Sequence, residues 1–287
     1  MIYKENPSLR RWIFIIRYSR NADKIDYQIE IIIAMEEIKP QGKLGPHEGI
    51  EYDLMLVGKK DIAYFCCELS HPGIDERFSQ NPEKDGIFRL EAEHDIPMDM
   101  NIFYRQDKKD KALCFLRILE ASVLLYHTEP KCRRNLEVIT GLLLGYTLAD
   151  VEVFIEHSKF CEGYEDLPSG IEGKLNPHKG IEYNLMRIAQ KDVAYFSADE
   201  LDTRFLLLKD DEEIYKLERK STVLEEDIHI FYRSNKKDKA TALFLLLEAF
   251  IYNRENICRA EFEMLIGRLL GYSREDVEVY LQSQNIA

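Results

Sequence analysis

The sequence predicts an α+β fold written twice. The unit is a domain with an N-terminal helix, a small antiparallel sheet and three C-terminal helices, duplicated in tandem and preceded by an extra N-terminal β-hairpin. Three matched blocks carry that expectation. Residues 42–65, GKLGPHEGIEYDLMLVGKKDIAYF, return at 173–196 as GKLNPHKGIEYNLMRIAQKDVAYF, identical at 16 of 24 positions. NIFYRQDKKDKA at 101–112 returns as HIFYRSNKKDKA at 229–240, and LEVITGLLLGYTLADVEVF at 136–154 as FEMLIGRLLGYSREDVEVY at 262–280. The spacing between partners drifts from 131 at Gly42 and Gly173 to 126 at Gly145 and Gly271, so insertions fall between blocks, where loops tolerate them. The expected division is 1–160, the first copy with the hairpin, and 161–287, the second copy, each long enough to bury a core.

The hairpin comes first in order. WIFIIRYS and DYQIEIIIAM flank the Asn21-Ala22-Asp23 turn and read as two strands with no second counterpart. Joining the sheet of the first copy is the simplest way to pair them, and the outer strand would then offer an edge to a partner. Each copy next shows a Gly-Lys-Leu-x-Pro loop. Pro46 and Pro177 suit a first helical turn, where the missing N–H costs nothing. The helix after them is expected to bury Ile50, Leu54 and Val57, or Ile181, Leu185 and Ile188, as one stripe.

Strands follow. In the first copy they are DIAYFCCEL, a weak segment at Arg77 and Phe78, GIFRLEAE and NIFYR; in the second, DVAYFSA, TRFLLL, EIYKLERK and HIFYR. Short connections make an antiparallel meander the economical topology. Alternation places Ile62 and Tyr64 on one face and Ala63 and Phe65 on the other. Three helices close each copy. The first is expected to be capped by Asp107 or Asn235, with Asp110 or Asp238 completing a capping-box variant. The second ends at Leu144-Gly145 or Leu270-Gly271, with a left-handed glycine, and Thr147-x-x-Asp150 or Ser273-x-x-Asp276 caps the third.

Composition narrows the function classes. Hydrophobic residues make up 45% and charged residues 32%, a balance that folds, and no apolar run reaches the 18 or so residues of a spanning helix. No membrane association is expected. MIYKENPSLRRWIFII lacks an unbroken signal-peptide core, so a cytoplasmic location is expected. The net charge of −13 disfavours nucleic acid and accommodates a basic protein partner most easily. Six cysteines without a CxxC pair argue against structural zinc, and only Cys132 and Cys258 correspond between copies. No metal or cofactor is expected.

Two polar sets stand out. His47 with Glu51, copied as His178 with Glu182, would share a helix face at i, i+4 as an acid/base pair, a metal half-site or a local ion pair. Arg105, Lys108, Lys109 and Lys111, copied as Arg233, Lys236, Lys237 and Lys239, gather cations where a strand gives way to a helix N-terminus, against the helix dipole. A set that conflicts with its own element marks a candidate anion site. Lys60 and Asp61, matched by Lys191 and Asp192, stand at a strand entrance, where Asp could anchor the arginine of the FYR strand. The acidic stretch from Asp210 to Asp227 reads as a solvated hairpin. Two functions remain open: a non-catalytic macromolecule-binding protein of inhibitor, immunity or effector type, or an enzyme or small-ligand protein with an anion or phosphate site at each FYR-to-KKDK junction.

Overall fold

The computed structural model describes residues 14–21, 24–31, 49–66, 69, 74–90, 100–126, 128–157, 178, 180–197, 201–208, 213–224 and 228–286. Among them are eight α-helices and three antiparallel sheets, a mixed α+β architecture. Strands β1 (Phe14–Asn21) and β2 (Lys24–Ile31) pair in antiparallel register from Phe14↔Ile31 to Asn21↔Lys24; Ala22 and Asp23 of the expected turn lie outside the described residues. Among the described residues this hairpin is a two-stranded sheet of its own, a correction to the expectation that it extends the first three-stranded sheet.

The two halves repeat one order of elements. The first runs α1 (Glu51–Leu56), β3 (Ile62–Phe65), β4 (Ile87–Leu90), β5 (Asn101–Arg105), α2 (Lys109–Leu125), α3 (Arg133–Leu143) and α4 (Leu148–His157). The second runs α5 (Glu182–Arg187), β6 (Val193–Ser197), β7 (Ile214–Lys216), β8 (Ile228–Arg233), α6 (Lys237–Tyr252), α7 (Arg259–Leu269) and α8 (Arg274–Ser283). Strand order is β3-β5-β4 and β6-β8-β7, so the FYR strand lies in the middle and the chain does not meander. That strand buries apolar residues on both faces: Phe103 and Phe231 point one way, Ile102 and Ile230 the other.

Ile62 and Tyr64 face the helices, and Ala63 and Phe65 face α1, as alternation requires. The segments at Arg77 and at TRFLLL are 3-10 turns, Glu76–Phe78 and Thr203–Leu207, and not strands. Asp75 and Asp202 cap them by accepting from the N–H of Arg77 and Arg204, so local capping outcompetes the apolar pattern. EIYKLERK is strand only over Ile214–Lys216, so the acidic stretch is not a full hairpin within the described residues.

Helices α1 and α5 start at Glu51 and Glu182; Pro46 and Pro177 lie outside the described residues. The expected apolar stripe is also displaced. Ile50, Val57, Ile181 and Ile188 are exposed, because each sits at a cap of a six-residue helix, while Tyr52 and Met55, or Leu185 and Met186, turn inward. Beneath them the rings of Phe78 and Phe103 pack in a tilted pair at 4.6 Å, and those of Phe205 and Phe231 at 4.4 Å. Each half thus has a small aromatic core outside its sheet.

Inside the sheets lies a core common to both halves. Helices α2 and α6 pack against each other, and Phe115, Ile118 and Leu125 join Leu243, Leu246 and Phe262 in one cluster that also takes Ile102 and Ile230 from the two sheets. Helix α3 also contacts α7. The final corners match the local code. Gly145 and Gly271 adopt φ of 89° and 90°, and the next N–H, on Tyr146 and Tyr272, returns to Gly141 and Gly267 O at 3.0 Å. Thr147 with Asp150, and Ser273 with Asp276, exchange side-chain and backbone hydrogen bonds as capping boxes. No such box opens α2 or α6. Their N-caps are Lys108 and Lys236, without a side-chain cap, because the chain enters through a turn that carries Asp107 and Asn235 past the capping position.

Candidate functional site

The Lys-Asp dipeptide before β3 and β6 organises the polar residues that the two halves have in common. Neighbouring side chains in extended backbone point opposite ways, and here each direction leads to a different helix end. Lys60 is buried, and its ammonium donates to Leu144 O at 3.0 Å while lying 5.4 Å from the Tyr146 ring centroid. Leu144 caps α3, so a cation meets the carbonyls and the negative end of the dipole. Lys191 repeats the arrangement, donating to Leu270 O at 2.6 Å beside Tyr272 at 5.2 Å. Burial lowers both lysines to about 8. Sequence reasoning did not identify this lock; its signal was the shared retention of Lys-Asp and Gly-Tyr in both halves.

His178 is fully buried, stacks on Tyr272 at 4.2 Å and places Nδ1 2.9 Å from the Lys191 ammonium. With the lysine as donor, Nδ1 accepts and the imidazole is neutral. Burial, reinforced by the charge of Lys191, lowers His178 to about 4. The expected ion pair of His178 with Glu182 is therefore not formed: an uncharged ring has no charge to offer, and His178 precedes the helix that Glu182 begins. Glu182 instead supports the charge of Lys191. Glu51 bears on Lys60 in the same way; His47 lies outside the described residues.

Asp61 points toward the start of α2, accepting from Lys111 at 2.8 Å and pairing with Arg105 at 3.5 Å, the anchor the sequence suggests. Asp192 pairs with Lys239 at 3.1 Å and Lys236 at 3.3 Å in place of Arg233. Burial would raise the Asp192 carboxyl, but Lys239 and Lys236 together hold it below its usual range. Two further pairs cross between halves. Lys108 meets Glu255, just after α6, at 2.7 Å, and Lys239 meets Glu129, just after α2, at 3.2 Å. Arg254 adds a contact to Asp110 at 3.0 Å. Lys109 and Lys237 are exposed. The helix starts that collect cations thus hold internal carboxylates: one aspartate from their own half and one glutamate from the other. His178 faces Lys191 on the far side of the Lys-Asp dipeptide, so the structure does not bring the two predicted sets together in the second half.

A third constellation lies on the α2–α6 contact. Glu120 and Glu248 occupy matching positions, and a single Arg117 reaches both, at 2.8 Å and 2.9 Å; Leu245 stands where Arg117 would repeat. Glu248 also accepts from Ser221 at 2.8 Å. Among the described residues, no group of three or more His, Cys, Asp or Glu side chains is placed to hold a metal, and no helix is long and apolar enough to cross a membrane. Cys132 and Cys258 are raised to about 12 by burial, a direction that suppresses thiolate chemistry. No family model, curated protein or solved structure matches this chain.

Proposed function

We propose that this chain arose by tandem duplication and is a non-catalytic macromolecule-binding protein of inhibitor, immunity or effector type, acting in the cytoplasm on a basic protein partner. One observation carries the reading. Most of the charged residues that match between halves are occupied by the fold itself: Lys60 and Lys191 on helix ends, Lys111 and Lys239 on Asp61 and Asp192, and Lys108 and Lys236 on Glu255 and Asp192, while Lys109 and Lys237 stay exposed. Catalysis needs polar groups converging on space a substrate can enter. Here they converge on one another, and the net charge of −13 supports a basic partner.

The test is capture of partners by the intact protein from its native host, with elution in rising salt and the mass of the complex measured in solution. The expected result is one stoichiometric basic protein released by salt. The reading is overturned if the protein is recovered alone with phosphate or nucleotide at two sites per chain, lost on Lys108→Ala and Lys236→Ala.

A further inference from the structure

A cleft of about 390 Å³ opens between α3, α7 and α8, where the two halves meet. Arg134, Arg268 and Arg274 line it, against two carboxylates, Glu261 and Glu278. With Glu152, which pairs with Arg134, counted, three guanidiniums meet three carboxylates, so the cleft is close to neutral on a chain whose total charge is −13. Unlike the paired lysines above, this cluster is present once. By the spacing of 126 residues between the matched helices, Arg134 corresponds to Ala260, Arg268 to Leu142 and Arg274 to Leu148. All three differences point the same way and fall on one cleft, so the symmetric packing of the halves does not account for them.

The arginines are held in graded fashion. Arg268 donates to Lys131 O at 2.7 Å, which fixes one edge of its plane. Arg134 pairs with Glu152 and, at 3.8 Å, with Glu261, which itself accepts from Asn135. Arg274 holds Glu278 at 2.7 Å in a pair well open to solvent. Exposed pairs of this kind contribute only about 0–1 kcal/mol each, so a ligand oxyanion exchanges with them at little cost. Guanidinium forks match the two oxygens of a carboxylate or phosphate. Met264 and Leu281 add an apolar wall, and the volume lies within the roughly 300–1,000 Å³ typical of small-molecule sites.

We propose that this cleft binds one small organic oxyanion per chain, a carboxylate or phosphate ester with an apolar portion, held by Arg134, Arg268 and Arg274. The site goes beyond the protein-binding reading and is independent of the cations at the starts of α2 and α6. Isothermal titration of the full chain with inorganic phosphate, succinate and phenyl phosphate tests it. Arg134→Ala and Arg274→Leu install residues the other half carries at matching positions, and circular dichroism checks that they fold. The expected result is saturable binding of at least one probe, one per chain, weakened about tenfold by each substitution, the scale of one charge-assisted hydrogen bond. Phenyl phosphate binding more tightly than phosphate would place the apolar portion on the Met264 wall, and succinate alone binding would identify a carboxylate. The proposal is overturned if no probe binds by about 10 mM, well above the ~1 mM of a weak specific site. Affinity unchanged in both variants would overturn it equally.

Discussion

A buried ammonium or imidazole is tolerated only where its neighbours complete its hydrogen bonds, and Lys191 with His178 shows how the requirement sets a pH response. His178 is lowered from 6.5 to about 4, so between those values the unfolded chain binds a proton that the folded ring does not. Stability from this group is therefore complete above pH 6.5 and is lost as pH falls toward 4. The slope it adds approaches ~1.4 kcal/mol per pH unit. His178→Asn keeps an acceptor near the Nδ1 position and removes the titration. Urea unfolding midpoints of this variant should vary less between pH 4 and 6.5 than those of the parent; equal slopes would exclude His178 as the linked group. The lysines act at the other end of the scale. Lowered from 10.5 to about 8, Lys60 and Lys191 contribute more to stability as pH rises through that window, because the unfolded chain then holds the extra protons.

Among the elements, the helical corners were legible because their chemistry is local. A left-handed glycine, a tyrosine and a Thr/Ser-x-x-Asp box specify α3–α4 and α7–α8 within a few residues. Thr147→Ala and Ser273→Ala should each cost about 1 kcal/mol in denaturant unfolding. The other glycines of these helices answer to packing. A Cβ on Gly141 or Gly267 would meet a methyl of Val151 or Val277 well inside 3.0 Å, so α4 and α8 would have to move outward. Gly141→Ala should therefore destabilise by about 1–3 kcal/mol despite its better helix propensity, and Gly141→Ala with Val151→Ala should recover part of that loss. A gain in stability from Gly141→Ala alone would show that the crossing is looser than this packing implies. The strand order and the starts of α2 and α6 were not legible. Which strand takes the centre depends on pairing between segments distant in sequence, and the cations before Ala112 and Ala240 are held by Asp61 and Asp192 of their own halves together with Glu255 and Glu129, the two glutamates each more than a hundred residues away in sequence.

At the scale of the whole molecule, the single arginine between Glu120 and Glu248 tests whether the halves form one cooperative unit. Both glutamates are buried at 8% and 3% exposure, on helices of different halves, and Arg117 is the charge that reaches each. Glu248 has help from Ser221; the geometry to Arg117 is close in distance yet poorly aligned, so the pair is electrostatic more than hydrogen-bonded. Arg117→Leu reproduces the residue at the matching position, Leu245, but strands two carboxylates at the α2–α6 contact. Removing one partner of a buried ion network typically costs about 3–5 kcal/mol, whereas replacing the whole network by apolar residues is often neutral or better. The expected order of stability is Arg117→Leu lowest, with the parent and the triple variant Arg117→Leu, Glu120→Leu, Glu248→Leu close together. If the common core couples the halves, unfolding of Arg117→Leu followed by near-ultraviolet and by far-ultraviolet dichroism should remain one coincident transition, shifted to lower urea. Two separated transitions would mean that the aromatic core outside each sheet sustains its half alone, and the carboxylate pair would then be a seam between independent units.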